Sequence, residues 1–581
     1  MRSVLLYMML RIPRANPVLY TFRKCSTDTA KTNSSDTSRI FPEESTINRK
    51  PASLSTPHVA KKENLFLKLE QLESVPETEA LRKSLSFDEV PGPKYLKYLS
   101  KFWSFFPVMG TQVTASTVQY LLSAGKVYGN HLSWGNNAQF FRKMLDHYGP
   151  VVRLHGPFGG DVVILSKPEH VAAVFESEGR YPVRSCLDCL EKYRVQYRRF
   201  RRVGPFLMYG LEWENLRKAI AGSLQTLTEY QFELIDKTTD EFITRILRIR
   251  NKQDEVPSYF GNEINKWALE CMCCITLNKR LGFLDSCGLS NTSEPARMLE
   301  SLNNATNAIR RCESGIHLWK FFNTPAWNSL VKHCDQLGLI LNKYIYKIQD
   351  SLHQKKINNE ILSSEKTSLV ESLFLRDGLL PEDILTIILD MVLIGVNTVS
   401  HSIAFLLYNL ARNPRAQAKL YKEVVDKHDL LLKDHSLPFS YLQACIKESL
   451  RLNPPMPILS RVLSKDTLVH NYRLPRGTYV LIDTHISSMR EEYFEDAHRF
   501  KPERWFEEAA NFHENNYVTM PFGFGQKSCI ARVVAETQIA LIMIKIIEKF
   551  RVEYHYGELT STNRPLAAPD HSLKFTFVDR I

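Results

Sequence analysis

Near its carboxyl end the chain reads Pro521-Phe522-Gly523-Phe524-Gly525-Gln526-Lys527-Ser528-Cys529-Ile530-Ala531. Apolar residues then recur at helical spacing from Ala535 to Ile546. The pattern predicts a glycine-containing loop that presents a cysteine at the start of a helix. Exposed amide N–H groups and the helix dipole favour a thiolate there, and a thiolate can bind a metal. Taken alone, the stretch also fits a buried structural cysteine after a glycine-rich turn.

Three further motifs accompany this loop. Lys447-Glu448-Ser449-Leu450-Arg451 sets a glutamate and an arginine three residues apart, on one helix face where they can pair. On its own this is an everyday surface ion pair. Phe500-Lys501-Pro502-Glu503-Arg504-Trp505 adds a second arginine, and Trp213 and Arg217 lie four residues apart on a helical stretch. The four motifs are informative together, because their order and spacing along the chain are less easily explained by chance than any one of them.

Phe522, Gly525 and Cys529 fit the pattern F-x-x-G-x-x-x-C, and with its companions this set resembles the cytochrome P-450 superfamily over about residues 88–581. The resemblance implies a mostly α (α+β) fold, a helix-rich domain with a smaller β-rich portion around a buried haem b. It makes Cys529 the axial thiolate of the haem iron, which favours O–O cleavage in a monooxygenase. It also places Glu448, Arg451 and Arg504 in a buried structural triad.

The resemblance implies a set of residues for the haem propionates. Trp213 and Arg217 match the family's W-x-x-x-R, and Arg461 occupies a further propionate-binding position. Arginine suits a carboxylate because its planar fork donates two parallel hydrogen bonds. Lys527 stands where most members have arginine, so it can supply the charge but not the bidentate geometry.

A long apolar helix is predicted from Pro381 to about Leu410, with proline at its first position. In its middle, Ile394-Gly395-Val396-Asn397-Thr398-Val399-Ser400 aligns with the family's oxygen-activating motif A-G-x-D/E-T-T. The alignment gives Gly395 room for dioxygen and Thr398 the water that protonates it. Asn397 replaces the usual acid, and an amide orients water but cannot titrate. Proton relay through Thr398 and ordered water is expected, with an isomerase-like haem-thiolate reaction as the alternative.

The branch of the family is indicated by Glu178-Gly179-Arg180-Tyr181-Pro182-Val183-Arg184 and by the first 27 residues, which are basic, lack acids and resemble a mitochondrial transit peptide. The expected partners are an adrenodoxin-like ferredoxin and its NADPH-dependent reductase. A net charge of +12 fits an acidic carrier better than nucleic acid, which is not expected as a partner. Lys447 and Arg532 are the predicted docking cations, although Gln443 stands where a first lysine is usual.

The expected layout is a transit peptide (1–27), a linker rich in Ser, Thr, Pro and charged residues (28–87) and the monooxygenase domain (88–581). Strand signals lie at Val162 to Leu165 and Tyr479 to Ile482. Eleven cysteines without regular spacing argue against a disulfide scaffold. The expected location is the matrix side of the inner mitochondrial membrane, and peripheral attachment stays open.

The predicted activity is hydroxylation of an apolar substrate, a steroid in the first instance. The irregular oxygen motif resembles that of the Halloween-group ecdysteroid 2-hydroxylases, so 2-hydroxylation of an ecdysone precursor is the specific expectation. Two rivals stay open. A haem-binding relative without turnover would account for Asn397, and a helical scaffold protein would need no haem at all.

Overall fold

The computed structural model describes residues 84–580 apart from 95, 99–136, 156–160, 185–186, 226, 286–289, 291, 314–317, 321, 359–366, 377, 428–438, 508–515 and 563–565. The predicted transit peptide and nearly all of the predicted linker lie outside the described residues.

The helices in chain order are α1 Asn137–Tyr148, α2 Pro168–Glu176, α3 Asp188–Glu191, α4 Gly210–Leu224, α5 Glu229–Ile249, α6 Phe260–Leu277, α7 Glu294–Cys312, α8 Pro325–Ile357, α9 Leu369–Phe374, α10 Pro381–Arg412, α11 Pro414–Asp426, α12 Ser440–Leu452, α13 Thr484–Ser488, α14 Arg504–Glu507 and α15 Arg532–Lys549. The strands are β1 Val151–Leu154, β2 Val162–Leu165, β3 Ile458–Val462, β4 Thr467–Val469, β5 Tyr472–Leu474, β6 Tyr479–Asp483, β7 Phe550–Glu553, β8 Ser561–Thr562, β9 Ala568–Pro569 and β10 Thr576–Asp579. This content confirms the mostly helical fold with a smaller β portion.

The largest sheet among the described residues has four strands in the order β1-β2-β6-β3. Strands β2 and β6 run parallel, with Val163 opposite Val480, and the two outer pairs run antiparallel. Successive side chains of a strand point to opposite faces, and here both faces are covered by apolar clusters. Both predicted strand signals, in β2 and β6, are confirmed.

Helix α10 runs through the helical core and packs against α6, α12 and α15. It is apolar and long enough to cross a membrane, but most of its surface is buried inside the protein. Such all-round burial is typical of a core helix. Pro381 occupies the first turn, where its missing N–H costs nothing, and Asp383 accepts a hydrogen bond from the Leu380 amide. A π-helical turn, Met391–Gly395, interrupts the helix directly before Asn397.

Candidate active site

The cysteine loop, residues 521–531, leads directly into α15 and contains two glycines in the left-handed region. Gly523 has φ +71° and Gly525 has φ +69°, values that side chains rarely adopt. The loop is closed by hydrogen bonds from the Cys529 amide to the Phe522 carbonyl (2.8 Å) and from the Ser528 amide to the Gly525 carbonyl (3.1 Å). These bonds hold Phe522, Gly525 and Cys529 as one rigid unit.

The Cys529 thiol is accessible to solvent and yet surrounded by protein. Burial raises its pKa, while the Ala531 amide and the charges of Arg184, Arg217 and Arg532 lower it. The amide at the helix start thus acts in the predicted direction, but desolvation outweighs it and the cations in the protein without a bound group. A thiol that is accessible but desolvated lies in a concave part of the protein surface, and we call the space in front of it the recess.

The predicted propionate-binding residues do converge on this loop. From α4, Arg217 donates from Nη1 to the Ser528 carbonyl (2.9 Å), and Lys527 Nζ lies 3.6 Å from the ring centroid of Trp213. Lys527 also donates to the Met208 carbonyl (2.7 Å). From β3, Arg461 pairs with the Glu178 carboxylate and donates to the Phe524 carbonyl (3.2 Å).

Arg184 is a further cation at this place that the sequence interpretation missed. Its Nε and Nη2 atoms donate to the Phe206 carbonyl at 3.2 and 3.1 Å, and its charge lowers the pKa of Cys529. In the sequence Arg184 belongs to the stretch that indicates the branch, and no helical spacing links it to the loop. We call Arg184, Arg217, Arg461 and Lys527 the cation cluster.

The oxygen motif of α10 has a defined hydrogen-bond pattern. Asn397 donates both amide hydrogens through Nδ2, to Thr306 Oγ1 on α7 (2.9 Å) and to the Leu393 carbonyl (2.8 Å). Its Oδ1 atom is thus left to act as an acceptor. Thr398 donates from Oγ1 to the Gly395 carbonyl (3.1 Å). Within the described part of the chain, no hydrogen bond or ion pair joins these residues to the cysteine loop.

Gly395 lies against a methionine of a neighbouring helix. A Cβ atom there would lie 2.9 Å from Cε of Met272 on α6, closer than real side chains approach. Because this atom ends a flexible side chain, a larger residue at position 395 would require Met272 to shift, and glycine avoids that shift. The predicted role of Gly395, room for dioxygen, stays a prediction.

A polar cavity of about 420 Å³ lies beside the same segment of α10. Its walls include Asn397, Ser400 and His401 of α10, Thr306 of α7, and His571, whose side chain is exposed. Burial lowers the pKa of His401 to about 3, so this ring is neutral at physiological pH. A polar space of this size can hold several ordered waters. It offers water a way from the surface to the Asn397 amide.

The predicted structural triad is present and closed. Glu448 Oε1 accepts from Arg451 Nη2 (2.8 Å) and Arg504 Nε (3.1 Å), and Oε2 accepts from Arg451 Nε (2.9 Å) and Trp505 Nε1 (3.1 Å). The Lys501 amide adds a further bond to Oε1 (3.1 Å). Glu448, Arg451 and Arg504 are each at most 2% exposed. Satisfied on all sides, these charges serve the packing of α12 against the segment around α14.

The two predicted docking cations are both exposed. Lys447 lies on α12, 5.9 Å from the ring of Trp505, and Arg532 opens α15 and pairs with Glu536 (3.0 Å). Gln443, one turn before Lys447, is exposed as well. Lys447 is therefore available to a partner, whereas Arg532 would first have to leave Glu536.

The family model for cytochrome P-450 matches residues 120–577, which is most of the chain. The chain is a cytochrome P-450. Members of this family are haem monooxygenases with a cysteine thiolate as axial ligand, and this assignment removes the haem-free scaffold alternative.

Three relatives show where this P-450 lies among known proteins. The probable cytochrome P-450 301a1, mitochondrial, of Drosophila melanogaster is 28% identical over 519 residues, or 86% of this chain and 88% of the relative. The probable cytochrome P-450 49a1 of the same organism is 30% identical over 509 residues (84% and 82%). The rat 1,25-dihydroxyvitamin D(3) 24-hydroxylase, mitochondrial, is 28% identical over 416 residues (70% and 76%).

The residues around the recess fit a haem group. A haem carries two carboxylates, and the cation cluster collects three arginines and a lysine at the cysteine loop. Arg461 already binds one carboxylate, that of Glu178. Arg217 and Lys527 donate to main-chain carbonyls, bonds weaker than those a carboxylate would accept. The positive charge of the cation cluster and the accessible Cys529 thiol therefore match a cofactor that carries two carboxylates and a metal centre.

Proposed function

We propose that this cytochrome P-450 is a mitochondrial hydroxylase of an apolar, steroid-like substrate, supplied with electrons by a ferredoxin. The observation that carries the proposal is the accessible Cys529 thiol with the cation cluster gathered at its loop. In this proposal Cys529 holds the haem iron. Bound haem supplies the activation of dioxygen and the transfer of electrons to it.

The residues of the recess then have separate roles in binding the haem. Arg217, Arg461 and Lys527 hold the two haem carboxylates, and Trp213 supports Lys527 through its ring face. Phe522 and Gly525 shape the loop, and the bond from the Cys529 amide to Phe522 fixes the direction of the thiol. The Ala531 amide donates towards the sulfur, which stabilises its negative charge.

On the oxygen side, we assign Thr398 and Asn397 to the handling of water. Asn397 is held by Thr306 and the Leu393 carbonyl, so its Oδ1 atom has a defined direction in which to accept a hydrogen bond from water. The polar cavity supports a supply of that water from the surface. Protons then reach Thr398 through ordered water, without a titrating residue at position 397.

The cellular part of the proposal rests on the basic leader and on relatives whose names include "mitochondrial". We propose residues 1–27 as the transit peptide, 28–87 as a linker and 88–581 as the monooxygenase domain on the matrix side of the inner membrane. The partners are an adrenodoxin-like ferredoxin and its NADPH-dependent reductase. Lys447 is the more available docking cation, since Arg532 is paired with Glu536.

The substrate class is supported by a relative named for a vitamin D metabolite, an apolar molecule with few hydroxyl groups. Within this class we propose an ecdysteroid precursor hydroxylated at carbon 2. Its support is the irregular oxygen motif, in which Asn397 stands in place of the usual acid and Val399 in place of the second threonine.

The test is conversion of a panel of 2-deoxyecdysteroids, other sterols and apolar drugs by the chain with ferredoxin, reductase and NADPH. Hydroxylation of one steroid supports the proposal, and a 2-hydroxylated ecdysteroid supports its narrower form. If the protein forms a ferrous carbon monoxide complex of thiolate type but converts none of these compounds to a hydroxylated product, an isomerase-like or inactive haem protein would be favoured.

A further inference from the structure

Glu178 is a buried carboxylate at the edge of the recess that no predicted role uses. It follows α2, and its side chain is 10% exposed. Its carboxylate pairs with the Nε edge of Arg461 on β3. Its Oε2 atom lies 2.9 Å from the position that a Cβ of Gly525 would occupy. Glu178 therefore contacts both an arginine of the cation cluster and the cysteine loop.

The remaining nitrogens of Arg461 are also held. Nη1 donates to the Ser460 carbonyl (2.8 Å) and Nη2 to the Phe524 carbonyl (3.2 Å). Each of these two nitrogens carries a second hydrogen, which is available to another acceptor. Glu178 thus fixes one edge of the guanidinium and leaves hydrogens on its other side for a carboxylate of the cofactor.

The electrostatics of Glu178 depend on the same cations. Burial raises the pKa of Glu178, and the charges of Arg461 and Lys527 lower it. Desolvation outweighs the two cations, and the cations favour the charged form of the carboxylate. Arg461 and Lys527, both proposed to hold the haem carboxylates, therefore also interact with the carboxylate of Glu178.

We infer that Glu178 is a positioning residue that holds Arg461 in place and, by its negative charge beside the cysteine loop, lowers the reduction potential of the bound iron. This inference rests on the proposed function, because it needs haem in the recess. A plain anchoring role, linking α2 to β3, would hold the chain together without setting the potential.

The test is a spectroelectrochemical titration of the haem-loaded Glu178→Gln variant. Gln keeps an acceptor oxygen for Arg461 and removes the charge. Loss of one interior negative charge favours the ferrous form. We expect the equilibrium constant for reduction of ferric to ferrous iron to rise by about tenfold, the scale of one charge acting over more than about 10 Å in a medium of effective dielectric constant about 20. Glu178→Asp, which keeps the charge, should stay close to wild type.

Glu263→Gln is the matched control. Glu263 is a buried carboxylate on α6 that pairs with Arg245 (3.0 Å) and Lys266 (2.7 Å), neither of them in the cation cluster. It should lose stability and leave the potential unchanged. If Glu178→Gln fails to accumulate, the double variant Glu178→Gln/Lys527→Gln, with its charge balance restored, is compared with Lys527→Gln alone and should show the same rise.

An unchanged potential in Glu178→Gln, or an equal shift in Glu263→Gln, would overturn the inference and leave the proposed function intact. A wild-type chain that binds no haem would instead overturn the proposed function itself. The two failures are thus separated by the absorption spectrum of the wild-type protein before any titration begins.

Discussion

The triad and the cation cluster are two groups of charged side chains in one chain, and they are built differently: the triad is fully buried, whereas Arg184 and Arg217 of the cluster are half-buried. In the triad, Arg451 and Arg504 share a single carboxylate whose two oxygens accept five hydrogen bonds. In the cation cluster, Arg217 and Lys527 donate to main-chain carbonyls beside an accessible thiol. The first arrangement is complete as it stands, whereas the second has charge to offer to a ligand.

This contrast separates charge that supports the fold from charge that supports binding. A buried ion pair adds little net stability, but removing one partner leaves an uncompensated charge and is costly. Cations that rest on carbonyls can lose or exchange a partner at lower cost. Substitutions in the triad should therefore act on unfolding, and substitutions in the cluster on the cofactor.

The largest expected effect is that of Cys529→Ser, which should abolish turnover and the thiolate-type band of the ferrous carbon monoxide complex. Serine can still accept the Ala531 amide hydrogen, so unfolding of the haem-free protein should change by no more than about 0.5 kcal/mol. Absorption spectra and urea unfolding measure the two effects. Cys445→Ala, at a buried cysteine of α12, is the control and should keep the band. A thiolate-type band in Cys529→Ser would refute the ligand assignment.

The next effect is that of Glu448→Gln, which leaves Arg451 and Arg504 buried without a carboxylate. We expect a loss of about 3–5 kcal/mol in the free energy of unfolding, a large share of the roughly 5–15 kcal/mol typical of a folded protein. Urea unfolding or the yield of folded protein measures it. Glu214→Gln, at a half-buried carboxylate whose partners Arg180 and Lys218 are both exposed, should change little. If Glu448→Gln keeps normal stability but binds haem more weakly, the triad and the cation cluster do not differ in the way proposed.

A smaller effect is expected for Arg217→Gln, which removes one charge from the cation cluster. Hydrogen bonds to charged groups contribute about 1.5–3 kcal/mol, so haem should dissociate at least about tenfold faster. The rate of haem transfer to apomyoglobin measures this. Unfolding of the haem-free chain should be nearly unaffected, since the half-buried Arg217 donates hydrogen bonds to Ser528 and otherwise makes a distant contact with the Trp213 ring (5.8 Å to the centroid). Arg180→Gln, on an exposed arginine, serves as the control.

The sequence predicted the parts of both groups that depend on short spacing. Glu448 and Arg451 are three residues apart, and the loop that ends at Cys529 is a continuous stretch, so local geometry decides both. The contact between Glu178 and Arg461 spans 283 residues, and that between Asn397 and Thr306 spans 91. Such pairs follow from tertiary packing, which periodicity does not encode.

Dependence on tertiary packing also explains the other features of the structure that the sequence did not predict. The π-helical turn in α10 and the contact of Met272 with Gly395 arise where α6 meets α10. The raised pKa of Cys529 depends on how much protein surrounds the sulfur, and local motifs do not report that amount. The strands β2 and β6, by contrast, were predictable because apolar runs bounded by polar segments mark buried strands.

Asn397→Asp should produce the smallest effect, and it extends the comparison to a half-buried polar side chain that carries no charge. The carboxylate would lose both hydrogens that Asn397 now donates and would face the Leu393 carbonyl, at a cost of about 1–3 kcal/mol in stability. If the acid is useful for proton delivery, peroxide leakage per NADPH should nevertheless fall by a small factor. Thr306→Val, which removes the other partner, separates the two contributions because it disturbs the amide without adding an acid. Equal leakage and rate in Asn397→Asp and wild type would mean that position 397 has no part in proton delivery, and that water reaches Thr398 by a route the side chain at 397 does not control.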